Sequence, residues 1–169
     1  TANGKRSIVI APEALTPEGF KISHGKEAKW RLENPNQAVI YEMHVRDFSI
    51  SETSGVKTDY QGKFKGLHQK DTVNQHGDKT TFDYVQDLGV NYIQLQPIFD
   101  HHQTFDDDGH YAYNWGYDPE NYNVPEASFS SNPHEPATRI LELKSAIQAY
   151  HDAGIGVIMD VVYNHTFSS

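Results

Sequence analysis

The chain has 169 residues, 37% hydrophobic and 22% charged, with no cysteine and a formal net charge of -9. That is enough apolar material for one globular core, while the missing cysteines exclude disulfides, thiol nucleophiles and cysteine-based zinc sites. The acidic balance argues against nucleic acid or an anionic membrane as a partner, and no run approaches the roughly 20 apolar residues that span a bilayer.

Taken in order, residues 1–38 are mixed and read as a linker or peripheral arm. Ser7-Ile-Val-Ile-Ala11 is a short strand candidate, and Pro12, Pro17 and Pro35 prevent a long helix. Thr1 opens without a Met and without a signal-peptide pattern, the start expected of a processed or excised segment. That start leaves the compartment open; secreted or cell-surface placement is slightly favoured, with a cytoplasmic location as the alternative.

Val39 to Val45 is the first convincing strand. A polar stretch follows, and Thr80 opens a helix, with Asp83 three residues on as a capping-box variant. Phe82, Val85 and Leu88 fall on one face of that helix, and Gly89 supplies a left-handed C-cap. Val90 to Gln96 is the second strand, stopped by Pro97. A long loop over roughly 98–137 leads to a second helix from about Thr138 to Asp152, with Ile140, Leu143, Ile147 and Tyr150 on its apolar face.

The third strand begins at Gly156 and carries the densest chemistry. Its period of two sends Val157, Met159, Val161 and Tyr163 one way and Ile158, Asp160, Val162 and Asn164 the other. A lone carboxylate such as Asp160 is costly within a strand unless it is paired or faces a polar site. Asn164 and His165 then emerge at the strand end. The alternating order of strands and helices calls for parallel strands joined by right-handed crossovers. Both long loops leave the same ends of those strands, the side on which βα barrels build their sites.

Inside the second long loop, Tyr113-Asn-Trp-Gly-Tyr-Asp-Pro119 packs three aromatics with Asn, Gly and Asp into seven residues. Such a set can present a flat platform with polar anchors for a sugar ring; alternatively the aromatics simply pack the loop down. Asp100-His101-His102 and the run from Asp106 to His110 fit neither a zinc helix motif nor an EF-hand, and read as a solvated polar loop. No nucleophile elbow and no phosphate-binding loop is present, because Val73 and Asp78 stand where the latter needs glycine.

Asp160-Val-Val-Tyr-Asn-His165 resembles the strand-three signature of the α-amylase family of glycoside hydrolases, and Ile40 to Phe48 resembles that family's first barrel strand. Tyr113 to Pro119 resembles the heptapeptide of type I pullulanases, which hydrolyse α-1,6 linkages in pullulan and branched α-glucans. The resemblance implies a partial (β/α)8 barrel: an arm over 1–38 leading from an upstream β-sandwich, then the first three barrel strands over 39–169. It implies an α-glucan substrate, with Tyr117 stacking on the glucosyl ring at the cleavage point and Asp118 anchoring that side of the pocket. Asn114 and Trp115 would shape the aglycone side, and His165 would bond a hydroxyl of the same glucosyl unit. Asp160 and Asn164 would support the pocket. No cofactor is assigned; Asn164 matches a calcium position of many α-amylases, so calcium is left to a full-length enzyme.

Retaining hydrolysis of a glycosidic bond needs a carboxylate nucleophile and a carboxylic acid roughly 5 Å apart. In the α-amylase family these follow strands four and five, so the chain is expected to be an inactive fragment that carries part of the pocket. Its open sheet edges would then invite self-association. An isoamylase-like debranching enzyme is the nearest alternative, and a non-catalytic glucan-binding half-barrel is the alternative from another class.

Overall fold

The computed structural model describes residues 7–21 and 28–168. In chain order its strands are β1 (Ile40–Met43), β2 (Tyr92–Leu95), β3 (Phe99–His101), β4 (Pro119–Pro125) and β5 (Gly156–Met159), and its α-helices are α1 (Thr81–Leu88) and α2 (Pro136–Asp152). The three expected strands, β1, β2 and β5, pair in parallel in the order β1-β2-β5, with Ile40 beside Tyr92 and Tyr92 beside Gly156. Helices α1 and α2 supply the two crossovers, so this is the opening portion of a β/α barrel, and the described strands do not close it.

Register puts alternate residues of all three strands on common faces. Met43, Ile93 and Leu95 are buried on the helix side, against Phe82 and Val85 of α1 and Leu143, Ala146 and Tyr150 of α2. The Tyr150 hydroxyl is not stranded there, because it donates to the Leu67 carbonyl at 2.8 Å. On the opposite face Glu42 accepts hydrogen bonds from Gln96 at 2.9 Å and Gln94 at 3.4 Å.

Several local expectations change. The segment 7–11 is unpaired and Val9 is fully exposed, so no strand forms there; the described arm instead runs along α2. Lys144 Nζ donates to the Leu15 carbonyl at 2.6 Å, Lys21 N–H to Gln148 Oε1 at 2.7 Å, and Trp30 stacks on His151 at 5.1 Å. The capping box at α1 is absent. Thr80 Oγ1 donates to the Ser54 carbonyl, and Asp83 accepts from the Asp71 N–H, so both side chains tie the helix start to the preceding loop. Leu88 lies off the buried stripe at 44% exposure, while Gly89 does adopt the left-handed C-cap at φ 70°.

The expected loop over 98–137 contains an antiparallel ribbon of β3 and β4 followed by a 3-10 turn over Ala127–Phe129. The third parallel strand is shorter than its apolar run. It stops at Met159, and Asp160 N–H makes a last rung to the Leu95 carbonyl at 3.0 Å. Asp160 therefore sits at the mouth of the sheet rather than inside it.

Candidate functional site

The seven residues from Tyr113 to Pro119 are held against the ends of β1, β2 and β5 by bonds from their own backbone and from neighbours. Asn114 acts as an internal clip: its Nδ2 donates to the His102 carbonyl at 2.9 Å and to Asp118 Oδ2 at 3.2 Å, and its Oδ1 accepts the Gly116 N–H at 2.8 Å. Gly116 has φ 89°, and a Cβ placed there would lie 2.5 Å from the Pro97 carbonyl oxygen. Only glycine combines that conformation with so close a backbone approach. From β1, His44 Nε2 donates to the Asn114 carbonyl at 3.0 Å while its Nδ1 accepts the Asp47 N–H. Burial, first among the causes, lowers the His44 pKa, so the ring is neutral in this role.

Tyr117 joins this loop to the end of β5. Its hydroxyl donates to Asp160 Oδ2 at 2.9 Å, and its carbonyl accepts from His165 Nε2 at 2.8 Å. The His165 carbonyl in turn accepts the Tyr122 hydroxyl of β4 at 2.8 Å. Partial burial, then the hydrogen bond and charge of Asp160, then the charge of Glu42, push the Tyr117 phenol up to about 12. The phenol stays protonated and aimed at Asp160, while the residue remains 40% exposed.

Tyr113, Asn114, Trp115, Tyr117 and Asp118 together line an open recess of about 470 Å³. Trp115 is 62% exposed, and the Arg46 guanidinium lies 5.6 Å from the centre of the Tyr113 ring. Asp118 Oδ1 is buried without a hydrogen-bond partner among the described residues, an acceptor in a position that rewards a donor. Asn114, Trp115, Tyr117, Asp118, Asp160 and His165 are thus brought into one connected set. Asn164 is exposed, and its side chain makes no hydrogen bond among the described residues.

The reading of 100–102 as solvated loop is corrected. Asp100 and His101 are buried in β3, because partners drawn from β4, the following turn and α2 compensate them. Asp100 Oδ2 accepts from Asn121 at 2.6 Å and Oδ1 lies 3.4 Å from Arg139 Nη1. His101 meets Glu126, which also accepts from Gln103 and from the Ser128 N–H, both at 2.6 Å. Burial raises the Asp100 pKa, with Asn121 and Arg139 opposing that shift. Sequence reasoning missed Glu126, Arg139 and Glu142. The signal for the last two was present: they occupy the same 3.6-period stripe of α2 as Leu143, Ala146 and Tyr150, where a charge must find a partner.

The catalytic-domain model of the α-amylase family matches residues 20–169. A pullulanase of Bacillus subtilis (strain 168) is 38% identical over 172 residues, covering 99% of this chain and 22% of its own. The crystal structure of pullulanase from Paenibacillus barengoltzii, in complex with maltohexaose and alpha-cyclodextrin, superposes with a TM-score of 0.83 at 47% identity, covering 94% of this chain and 24% of that one. Pullulanase from Bacillus acidopullulyticus superposes with a TM-score of 0.85 at 42% identity, covering 96% and 19%. The chain thus spans 19% to 24% of the length of these relatives.

Proposed function

The chain belongs to the α-amylase family, and from that membership we propose that it forms part of the substrate pocket of a pullulanase-type glycoside hydrolase acting on α-1,6 linkages of pullulan and branched α-glucans. The observation that carries this reading is the immobilised Tyr117. Its hydroxyl is held by Asp160 and its backbone by His165, yet two-fifths of the residue stays open to solvent. A ring fixed at both ends offers its face to a sugar with little ordering entropy left to lose on binding.

The remaining roles follow from position. Asp118 offers a buried carboxylate oxygen to a sugar hydroxyl at the base of the recess. Trp115 and Asn114 complete its lining. Asp160 orients Tyr117 and is a positioning residue. His165, itself exposed, fixes the Tyr117 carbonyl through Nε2.

Affinity electrophoresis of the 169-residue chain in gels containing pullulan tests the reading. The chain should be retarded relative to a gel without glucan, and Tyr117→Ala should migrate unretarded while keeping its circular dichroism spectrum. A folded wild-type chain that ignores pullulan, pullulan fragments and amylopectin would remove the proposal. Maltotriose released from pullulan by the same sample would instead extend it, and Asp160→Asn would then be the first variant to assay.

A further inference from the structure

His44 follows directly on β1 and shares the parity of Glu42, so it stands at the mouth of the polar face. Yet it is only 6% exposed, and a buried imidazole is costly unless both nitrogens find partners. It finds them on two different segments. Nε2 donates to the Asn114 carbonyl, 70 positions away, at 3.0 Å, and Nδ1 accepts the Asp47 N–H at 3.4 Å. Together the two bonds admit a single protonation state, neutral with the proton on Nε2.

The ring is closed in on its other sides. Phe129 meets it edge-on at 5.5 Å, and Tyr113 lies tilted at 5.3 Å. Charged and titratable groups surround it as well. Asp47 Oδ1 lies 3.8 Å from Nδ1 but is already held by Arg46 at 3.1 Å, and His101 packs on the same Phe129 ring. Lys63, Asp106 and His110 line the cavity of about 580 Å³ that His44 borders. Burial lowers the His44 pKa first of all; His101 and Arg46 act in the same direction, against Asp47 and the Asn114 bond.

A proton added at Nδ1 sets two donors, that N–H and the Asp47 N–H, against each other. The acceptor on that side is the Asp47 carboxylate, and a ring that turns toward it draws Nε2 away from the Asn114 carbonyl. Asn114 is the residue that clips Gly116 and Asp118 in place. A change at His44 therefore reaches the recess through one backbone carbonyl.

We infer that His44 is a positioning residue for the recess: its neutral ring keeps the 113–119 loop seated on the strand ends, and acid releases it. The inference rests on the recess being a glucan site. It adds an acid limit to that site, set by a residue that does not itself meet the sugar. Because the folded value lies below the unfolded 6.5, the seat is complete above that pH and is lost as pH falls through the folded value.

Calorimetric titration of the 169-residue chain with maltotriose, from about pH 7.5 down to about 4.5, tests it beside amide exchange at Gly116. At the upper pH His44→Leu should bind about tenfold more weakly and expose the Gly116 N–H to exchange. His44→Gln, whose amide can both donate and accept, should recover most of that loss. On acidification the wild type should lose affinity that the glutamine variant keeps; His165 and Asp118 are common to both proteins and cancel. Parallel acid losses in wild type and His44→Gln overturn the inference, and this comparison decides the matter if the leucine variant misfolds. A folded His44→Leu that protects Gly116 as well as the wild type does overturns it too. Failure of the wild type to bind maltotriose at any pH removes the recess reading, and the exchange data alone then decide whether His44 seats the loop.

Discussion

The two faces of the β1-β2-β5 sheet are built by opposite rules. On the helix side Met43, Ile93 and Leu95 interlock with α1 and α2, and stability rests on apolar area removed from water. On the other side Gln94 and Gln96 both donate to Glu42, and at the C-terminal mouth Asp160 holds Tyr117. The first face specifies the fold and tolerates little change. The second carries side chains whose energetic contribution to folding is small and whose placement matters for what can bind. In a β/α barrel those faces are the shell and the lumen, and the three parallel strands among the described residues already show the division.

Truncation across the sheet puts that division to its hardest test. Ile93 is 1% exposed on the helix side, so Ile93→Ala should cost about 2–5 kcal/mol through lost burial and the cavity left behind. Ile158 faces the other way from β5 and is only partly buried, so Ile158→Ala should cost less than half as much. Urea denaturation of both variants checks the ratio. Equal losses would mean that the polar-side face is packed as tightly as the core, and the comparison would fail.

A smaller effect should appear where the loop meets the sheet. Gly116→Ala places a methyl group against the Pro97 carbonyl at a φ of 89°, which should cost about 1–3 kcal/mol or lift the loop from the strand ends. In the second case stability is nearly preserved while retardation in pullulan gels disappears. A variant with wild-type stability and wild-type retardation would show that the close seat is dispensable.

The helix-side face was legible in the sequence because it is periodic. Alternating apolar residues in the strands, and Leu143 and Tyr150 at helical spacing in α2, pointed to parallel strands and crossovers without any family knowledge. The loop residues were legible in a different way, since Tyr117 and Asp118 stood out by type and by the resemblance of their heptapeptide. Neither route could supply the bond from Tyr117 to Asp160, which joins residues 43 positions apart. The same limit hid the β3-β4 ribbon, whose β4 is mostly exposed and interrupted by irregular register. It also concealed why Asp100 and His101 are buried: their partners Glu126 and Arg139 come from elements whose adjacency no local pattern encodes. At Thr80 the local pattern was misleading outright, because its hydroxyl is turned to donate to the Ser54 carbonyl and accepts no helix N–H.

The finest test asks whether the polar face behaves as one electrostatic unit. Tyr117 has a phenol pushed up to about 12, by partial burial first and then by the hydrogen bond and charge of Asp160 and the charge of Glu42. Because the folded value lies above the unfolded one near 10, the group binds its proton more tightly when folded; its stabilising contribution is present below pH 10 and is lost as pH rises through 12. Removing a neighbouring negative charge makes the phenolate less costly, so Asp160→Asn should lower the Tyr117 value most and Glu42→Gln should lower it slightly. The signal is the phenolate absorbance of each protein minus that of its Tyr117→Phe counterpart. Neither substitution should change stability at neutral pH by more than about 0.5–1 kcal/mol, since both carboxylates lie on the open face. If Glu42→Gln leaves the titration unmoved while Asp160→Asn shifts it, the coupling is a single contact at the mouth. If both shift it, in that order, the charge of β1 is felt across the sheet at the ring proposed to meet the sugar.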